Sequence, residues 1–131
     1  VVGLIDRSGF VFEPDGLSAT QLQQAVKHKA AGGALASLPS GHKSQATQAV
    51  QYIASHALAQ PVLVDLTADE TLPALRAAVG GEMDIVLANK KPLAAARGEV
   101  AALYAAAAAQ GVRILHETTV GAGLPVMDSF A

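Results

Sequence analysis

Cysteine and tryptophan are absent, and two tyrosines and three phenylalanines are the whole aromatic complement of these 131 residues. Without thiols there is no disulfide, no thiolate metal site and no thiol nucleophile. Few aromatics and abundant alanine argue against an aromatic-rich sandwich and for helices packed closely on a sheet. Long apolar runs are lacking too: the stretch from Ala94 to Ala109 is interrupted by Arg97 and Glu99, short of the roughly 18 residues of a membrane span. No basic start or small-residue cleavage site marks a signal peptide, so a cytoplasmic protein is the default expectation. The formal charge of −2, with both signs interspersed, leaves no footprint for a polyanion and argues against nucleic acid as a partner.

What is present is an alternation of short apolar runs and amphipathic stretches. Val1 to Ile5 reads as a buried strand ended by Asp6, Ser8 and Gly9, with a brief extended piece at Phe10-Val11-Phe12 before the turn Pro14-Asp15-Gly16. Ser18 caps a helix to about Ala31, stopped by Gly32-Gly33, and a second helix runs from about Ser44 to Ala57. Val62 to Leu66 is apolar on both faces, as in a central parallel strand covered on each side. Asp69 is placed to cap a helix from Glu70 to Val79, followed by a strand over Met83–Ala88. Pro92 opens an alanine-rich helix to Gln110, Gly111 caps it, and Val112 to Glu117 is the last strand.

Strands alternating with helices of this length imply an α/β fold: a three-layer, Rossmann-like open parallel sheet with helices on both faces, incomplete in this chain. Residues 1–131 contain no internal repeat or linker and read as one partial domain. Such sheets bind ligands beyond the carboxyl ends of their strands, which selects Asp6-Arg7, Thr67-Ala68, Asn89-Lys90 and the segment from Glu117 to Leu124. A lysine at a strand end entering a helix can meet a phosphate, a carboxylate or a reacting oxygen, or it can be a solvated loop charge. Asp6 suits ribose hydroxyls or a simple turn, and Arg7 suits a 2′-phosphate. Thr67 is otherwise a local backbone partner. His28, His42, His56 and His116 have no metal-ligand spacing, and Ser40-Gly41-His42-Lys43 lacks the spacing of a phosphate loop.

Two segments carry a family likeness. Asp84-Ile85-Val86-Leu87-Ala88-Asn89-Lys90-Lys91-Pro92-Leu93-Ala94 and Glu117-Thr118-Thr119-Val120-Gly121-Ala122-Gly123-Leu124-Pro125 resemble the homoserine dehydrogenase family. Val64-Asp65-Leu66-Thr67-Ala68 and Val2 to Gly9 with Asp15-Gly16-Leu17 extend the likeness over essentially the whole chain. The resemblance implies the central part of an NAD(P)-binding domain, in an oxidoreductase interconverting L-homoserine and L-aspartate 4-semialdehyde for threonine and methionine biosynthesis. It implies that Lys90 serves proton transfer and that Asp6, Arg7, Thr67, Ala68, Asn89 and Lys90 line the cofactor, with no such role for Lys91. It also implies a monovalent cation such as sodium, held mainly by backbone oxygens of Glu117, Val120, Ala122 and Leu124, and a homo-oligomeric enzyme. NAD and NADP both stay open.

The family's glycine-rich fingerprint is expected upstream of Val1, and its substrate domain, with a second lysine, beyond Ala131. The isolated chain is therefore expected to lack dehydrogenase activity. Two other functions remain in play: a non-catalytic small α/β module for ligand binding or assembly, and a related dehydrogenase acting on another small aldehyde.

Overall fold

Asp6 and Gly9 face each other across a two-residue turn, Arg7-Ser8, which folds strand β1 (Gly3–Asp6) back onto β2 (Gly9–Phe12). The computed structural model describes residues 1–116. The chain divides into two units, Val1–Leu58 and Ala59–Ala131, and each is taken by itself.

In the first unit β2 is central, antiparallel to β1 on one side and to β3 (Gly41–Lys43) on the other. Glycine is required at position 9. Its φ is +153°, and a Cβ there would sit 1.9 Å from the backbone oxygen of His42, so a side chain would push β3 off the sheet. Gly41 is equally tight, its imagined Cβ 2.2 Å from the Leu35 carbonyl in a 3₁₀ turn at Leu35–Ser37. Helix α1 (Ala19–Ala30) begins at a reciprocal capping box between Ser18 and Gln21 and ends on Lys27, His28 and Lys29, which complement its dipole. Helix α2 (Ala46–Ala54) buries Ala49, Val50 and Ile53 and carries Tyr52, whose ring meets Phe10 and Phe12. His42 stacks on Phe10 and His56 packs on Phe12, so both histidines are ring partners.

The second unit is a parallel sheet in sequence order, β4 (Val62–Asp65), β5 (Asp84–Leu87) and β6 (Ile114–Leu115). Helix α3 (Leu72–Gly80) links the first pair; a 3₁₀ turn at Lys91–Ala94 and helix α4 (Arg97–Gln110) link the second. Right-handed crossovers between consecutive parallel strands put both helices on one face of the sheet. Burial agrees. Ile85 and Leu87 are fully buried with Leu75 of α3, and Leu103 and Ala107 of α4 are buried too, whereas Val62, Val64 and Leu115 on the opposite face are more than half exposed. Gly111, at φ +69°, ends α4 in the left-handed cap that its position in the sequence predicts.

The α/β class is thus present, with a parallel sheet in one unit and an antiparallel sheet in the other. Four local expectations come out differently. The strand Val62 to Leu66, expected to be covered on each side, leaves Val62, Val64 and Leu66 more than half exposed. The first strand was expected among the parallel strands, but the tight turn after Asp6 reverses the chain and pairs it with residues 9–12. The helix expected to start at Pro92 is a 3₁₀ turn, then extended backbone at Ala95 and Ala96, then α4. Alanine favours helix, so propensity does not set that break; Pro92, in the turn before it, is buried. The helix expected after an Asp69 cap starts instead behind Thr71, whose hydroxyl is turned to Asp65. Among the described residues no helix is long and apolar enough to cross a membrane.

Candidate functional site at the strand ends of the second unit

β4 and β5 run in register, with Asp65 opposite Leu87, so the segments leaving their carboxyl ends emerge side by side. There a polar cluster is built into the apolar unit, with Asp65 and Asn89 as its buried members. Oδ1 of Asp65 accepts from the backbone N–H of Thr67 at 3.0 Å and from its hydroxyl at 2.8 Å. Oδ2 accepts from the Thr71 hydroxyl at 2.5 Å and from Asn89 Nδ2 at 3.2 Å. Each oxygen therefore faces one obligatory donor, the Thr67 amide or the Asn89 amide, and position 65 must offer two acceptors.

Asn89 sits at the centre. Its Nδ2 lies 3.2 Å from Asp65 Oδ2, 3.2 Å from Thr67 Oγ1, 2.8 Å from the Asp69 carbonyl and 3.1 Å from Thr71 Oγ1. Two hydrogens are shared among four oxygens, a dense but fully satisfied arrangement for a buried amide. Its Oδ1 accepts from the Lys91 backbone N–H at 3.1 Å, closing a turn around Lys90. Lys90 and Lys91 are exposed, and the Lys90 ammonium makes no hydrogen bond or ion pair with any described residue. The helix N-terminus expected beside them is a four-residue 3₁₀ turn, too short to offer the aligned N–H groups of an anion site.

Of the residues selected from the sequence, Thr67 and Asn89 are thus brought into contact, Lys90 follows directly, and Ala68 lies exposed in the loop between Thr67 and Asp69. The side-chain polar atoms of Thr67 and Asn89 are engaged within the cluster, with each other, with Asp65 and, for Asn89, also with Asp69, Thr71 and the Lys91 backbone. Asp6 and Arg7 belong to the first unit. Glu117, Val120, Ala122 and Leu124 lie outside the described residues; among those described, no group of three or more His, Asp or Glu is arranged to hold a metal ion. Sequence reasoning missed Asp65 and Thr71. The available signal was a single carboxylate closing the apolar run Val62-Leu63-Val64, which is costly unless several donors await it.

Asp6 is similarly committed within its own unit. Oδ1 accepts from the Ser8 backbone at 2.8 Å and hydroxyl at 2.5 Å, and from Gly9 N at 3.2 Å; Oδ2 accepts from Lys29 Nζ at 2.6 Å and Leu35 N at 3.1 Å. One carboxylate thus ties the hairpin to the end of α1 and to the 3₁₀ turn. Arg7 lies exposed at the tip of the same turn.

Burial pushes the Asp6 carboxyl up, but hydrogen bonds from Lys29, Ser8 and the Leu35 backbone outweigh it and hold it well below the usual carboxylate range. A carboxyl depressed on folding stabilises the native state above its unfolded value, here near 3.8, and that contribution fades as pH falls toward the folded value. Acidification below about pH 4 is therefore expected to lower the unfolding temperature, and Asp6→Asn to flatten that limb. An Asp6→Asn variant with the same acid dependence as the parent chain would refute the assignment.

Compared with family models and with curated proteins, the chain matches none.

Proposed function

We propose that this chain is the central part of the NAD(P)-binding domain of a homoserine dehydrogenase, interconverting L-homoserine and L-aspartate 4-semialdehyde. The observation that carries the reading is Lys90, an exposed lysine that follows the carboxyl end of a parallel strand directly after Asn89, whose side chain bonds Thr67, within the segment Asn89-Lys90-Lys91-Pro92-Leu93-Ala94. Open parallel sheets bind their ligands at this end.

The nicotinamide, when bound, supplies the hydride acceptor or donor. Lys90, as the neutral amine, takes the proton from the substrate hydroxyl as the carbonyl forms, and as the ammonium returns it in the reverse direction. Thr67 and Ala68 are candidates to line the cofactor in the second unit; in the first unit, Asp6 and Arg7 are separately the candidates for contact with a ribose. A monovalent cation at Glu117, Val120, Ala122 and Leu124, a homo-oligomeric assembly and a cytoplasmic location belong to the same proposal.

The test is NAD(P)-dependent oxidation of L-homoserine by the full-length protein, with NAD and NADP titrated separately and other small hydroxy-amino acids as competitors. Turnover on homoserine above all of these supports the reading; turnover on another alcohol moves the protein to a related dehydrogenase. The isolated chain is expected to show none, and measurable activity from it would contradict the proposal that the catalytic machinery is shared with a further domain.

One observation favours the alternative of a non-catalytic module. The carboxamide of Asn89 and the hydroxyl of Thr67 are satisfied from within, as they would be in a purely structural cluster. Full-length protein that binds neither cofactor would select that alternative.

A further inference from the structure

The cluster beneath Lys90 contains more than a buried amide needs. Asn89 could be satisfied by two acceptors, yet four oxygens from three positions of the preceding loop and from the end of β4 converge on its nitrogen. Two of those oxygens, the hydroxyls of Thr67 and Thr71, donate in turn to opposite oxygens of Asp65. The amide is therefore oriented by a polarised ring whose anchor is the carboxylate. From the other end of the same side chain, Oδ1 grips the N–H of Lys91. Lys90 is thus bracketed: the residue before it is locked in the cage, and the amide after it is bonded to that residue's side chain.

We propose that Asp65 and Thr71 are positioning residues for Lys90, acting through Asn89 rather than by touching cofactor or substrate. This rests on the reading that Lys90 moves the proton. It reassigns Asn89 as well: with the residue 2 % exposed and its amide fully engaged, Asn89 sets the backbone that presents the lysine and does not bind cofactor directly. A flexible side chain on a short turn gains catalytic reach only if its Cα is fixed, since displacements near 1 Å cost up to roughly a hundredfold in rate.

The test is a kinetic double-mutant cycle in the full-length protein. Thr71→Val keeps shape and removes the hydroxyl, Thr71→Ala removes it with less bulk, and Thr71→Ser restores it. Either loss is expected to lower kcat for homoserine about tenfold to a hundredfold while KM for the cofactor changes less than about threefold, and Thr71→Ser to recover most of the rate. In a Lys90→Ala background the same loss of hydroxyl is expected to change kcat by less than about twofold, because the residue it positions is gone.

A purely structural threonine would give the same factor in both backgrounds. That additivity, or wild-type kcat in both Thr71→Val and Thr71→Ala, overturns the positioning role while leaving the dehydrogenase reading intact. A wild-type protein inactive on homoserine, or a Lys90→Ala variant as fast as wild type, overturns the reading and the positioning role together. Using two hydroxyl-deleting variants keeps the cycle decisive if one of them fails to fold.

Discussion

Lys90→Ala is expected, on the proposed dehydrogenase reading, to reduce homoserine turnover by the full-length protein roughly 10²- to 10⁴-fold, the range for loss of a positioned general acid or base, with cofactor affinity nearly unchanged. The argument is one of place and chemistry. Hydride leaves the carbinol carbon only as the hydroxyl proton leaves its oxygen, so a group that takes the proton acts on the transition state and shows its loss in kcat. Lys90 stands at the carboxyl end of β5 with no internal partner among the described residues, so removing its amino group breaks no hydrogen bond to them and leaves no buried acceptor among them empty. A folding defect is for that reason not expected from Lys90→Ala, and a rate loss would report chemistry. Lys90→Arg is expected to be nearly as slow, because a guanidinium stays protonated and cannot accept the proton. Unchanged turnover in Lys90→Ala would sink the role of Lys90 and, with it, the strongest support for the dehydrogenase reading.

The second large effect concerns stability. Leu75→Ala is expected to destabilise the chain by about 2–5 kcal/mol, as for other large-to-small changes in closed cores. Leu75 is fully buried on α3, packed in the same layer as Ile85 and Leu87 of β5, and its loss leaves a cavity between helix and sheet that small alanine neighbours cannot fill. Against a typical total of about 5–15 kcal/mol that is a large share. Leu66 provides the control: it is 75 % exposed at the end of β4, and Leu66→Ala is expected to change stability by less than about 0.5 kcal/mol. Chemical denaturation of both variants checks the pair. Equal losses would mean that the apolar layer lies elsewhere than between α3 and β5.

The elements of the second unit were legible because each depends on local signals. Apolar runs of strand length and Gly111 after an alanine-rich helix point the same way as the structure, whereas the helix starts expected at Pro92 and after Asp69 do not. In the first unit the helix behind Ser18 was equally plain, since the Ser18 and Gln21 capping box is written within four residues. The pairing of β1 was not. Val1 to Ile5 has the same apolar character whether it lies in a parallel or an antiparallel sheet, and the choice falls to Asp6, whose oxygens gather donors from Ser8, Gly9, Lys29 and Leu35. Two of those donors lie more than twenty residues away in sequence, beyond any local pattern.

The same holds at the strand ends. By itself the sequence determined that a lysine would follow a buried strand and that these 131 residues offer no thiol. It did not determine what Asn89 does. Asn89 and Asp65 are 24 residues apart, and their contact exists only because β4 and β5 align in register, with Asp65 opposite Leu87. Tertiary structure alone decided that Thr71 turns from capping its helix to serving a carboxylate, and that Asn89 is enclosed while Lys90 is left exposed. The physical reason is that a buried polar atom takes its partners from whatever the fold brings within about 3 Å, whereas propensities and caps are settled within a few residues of chain.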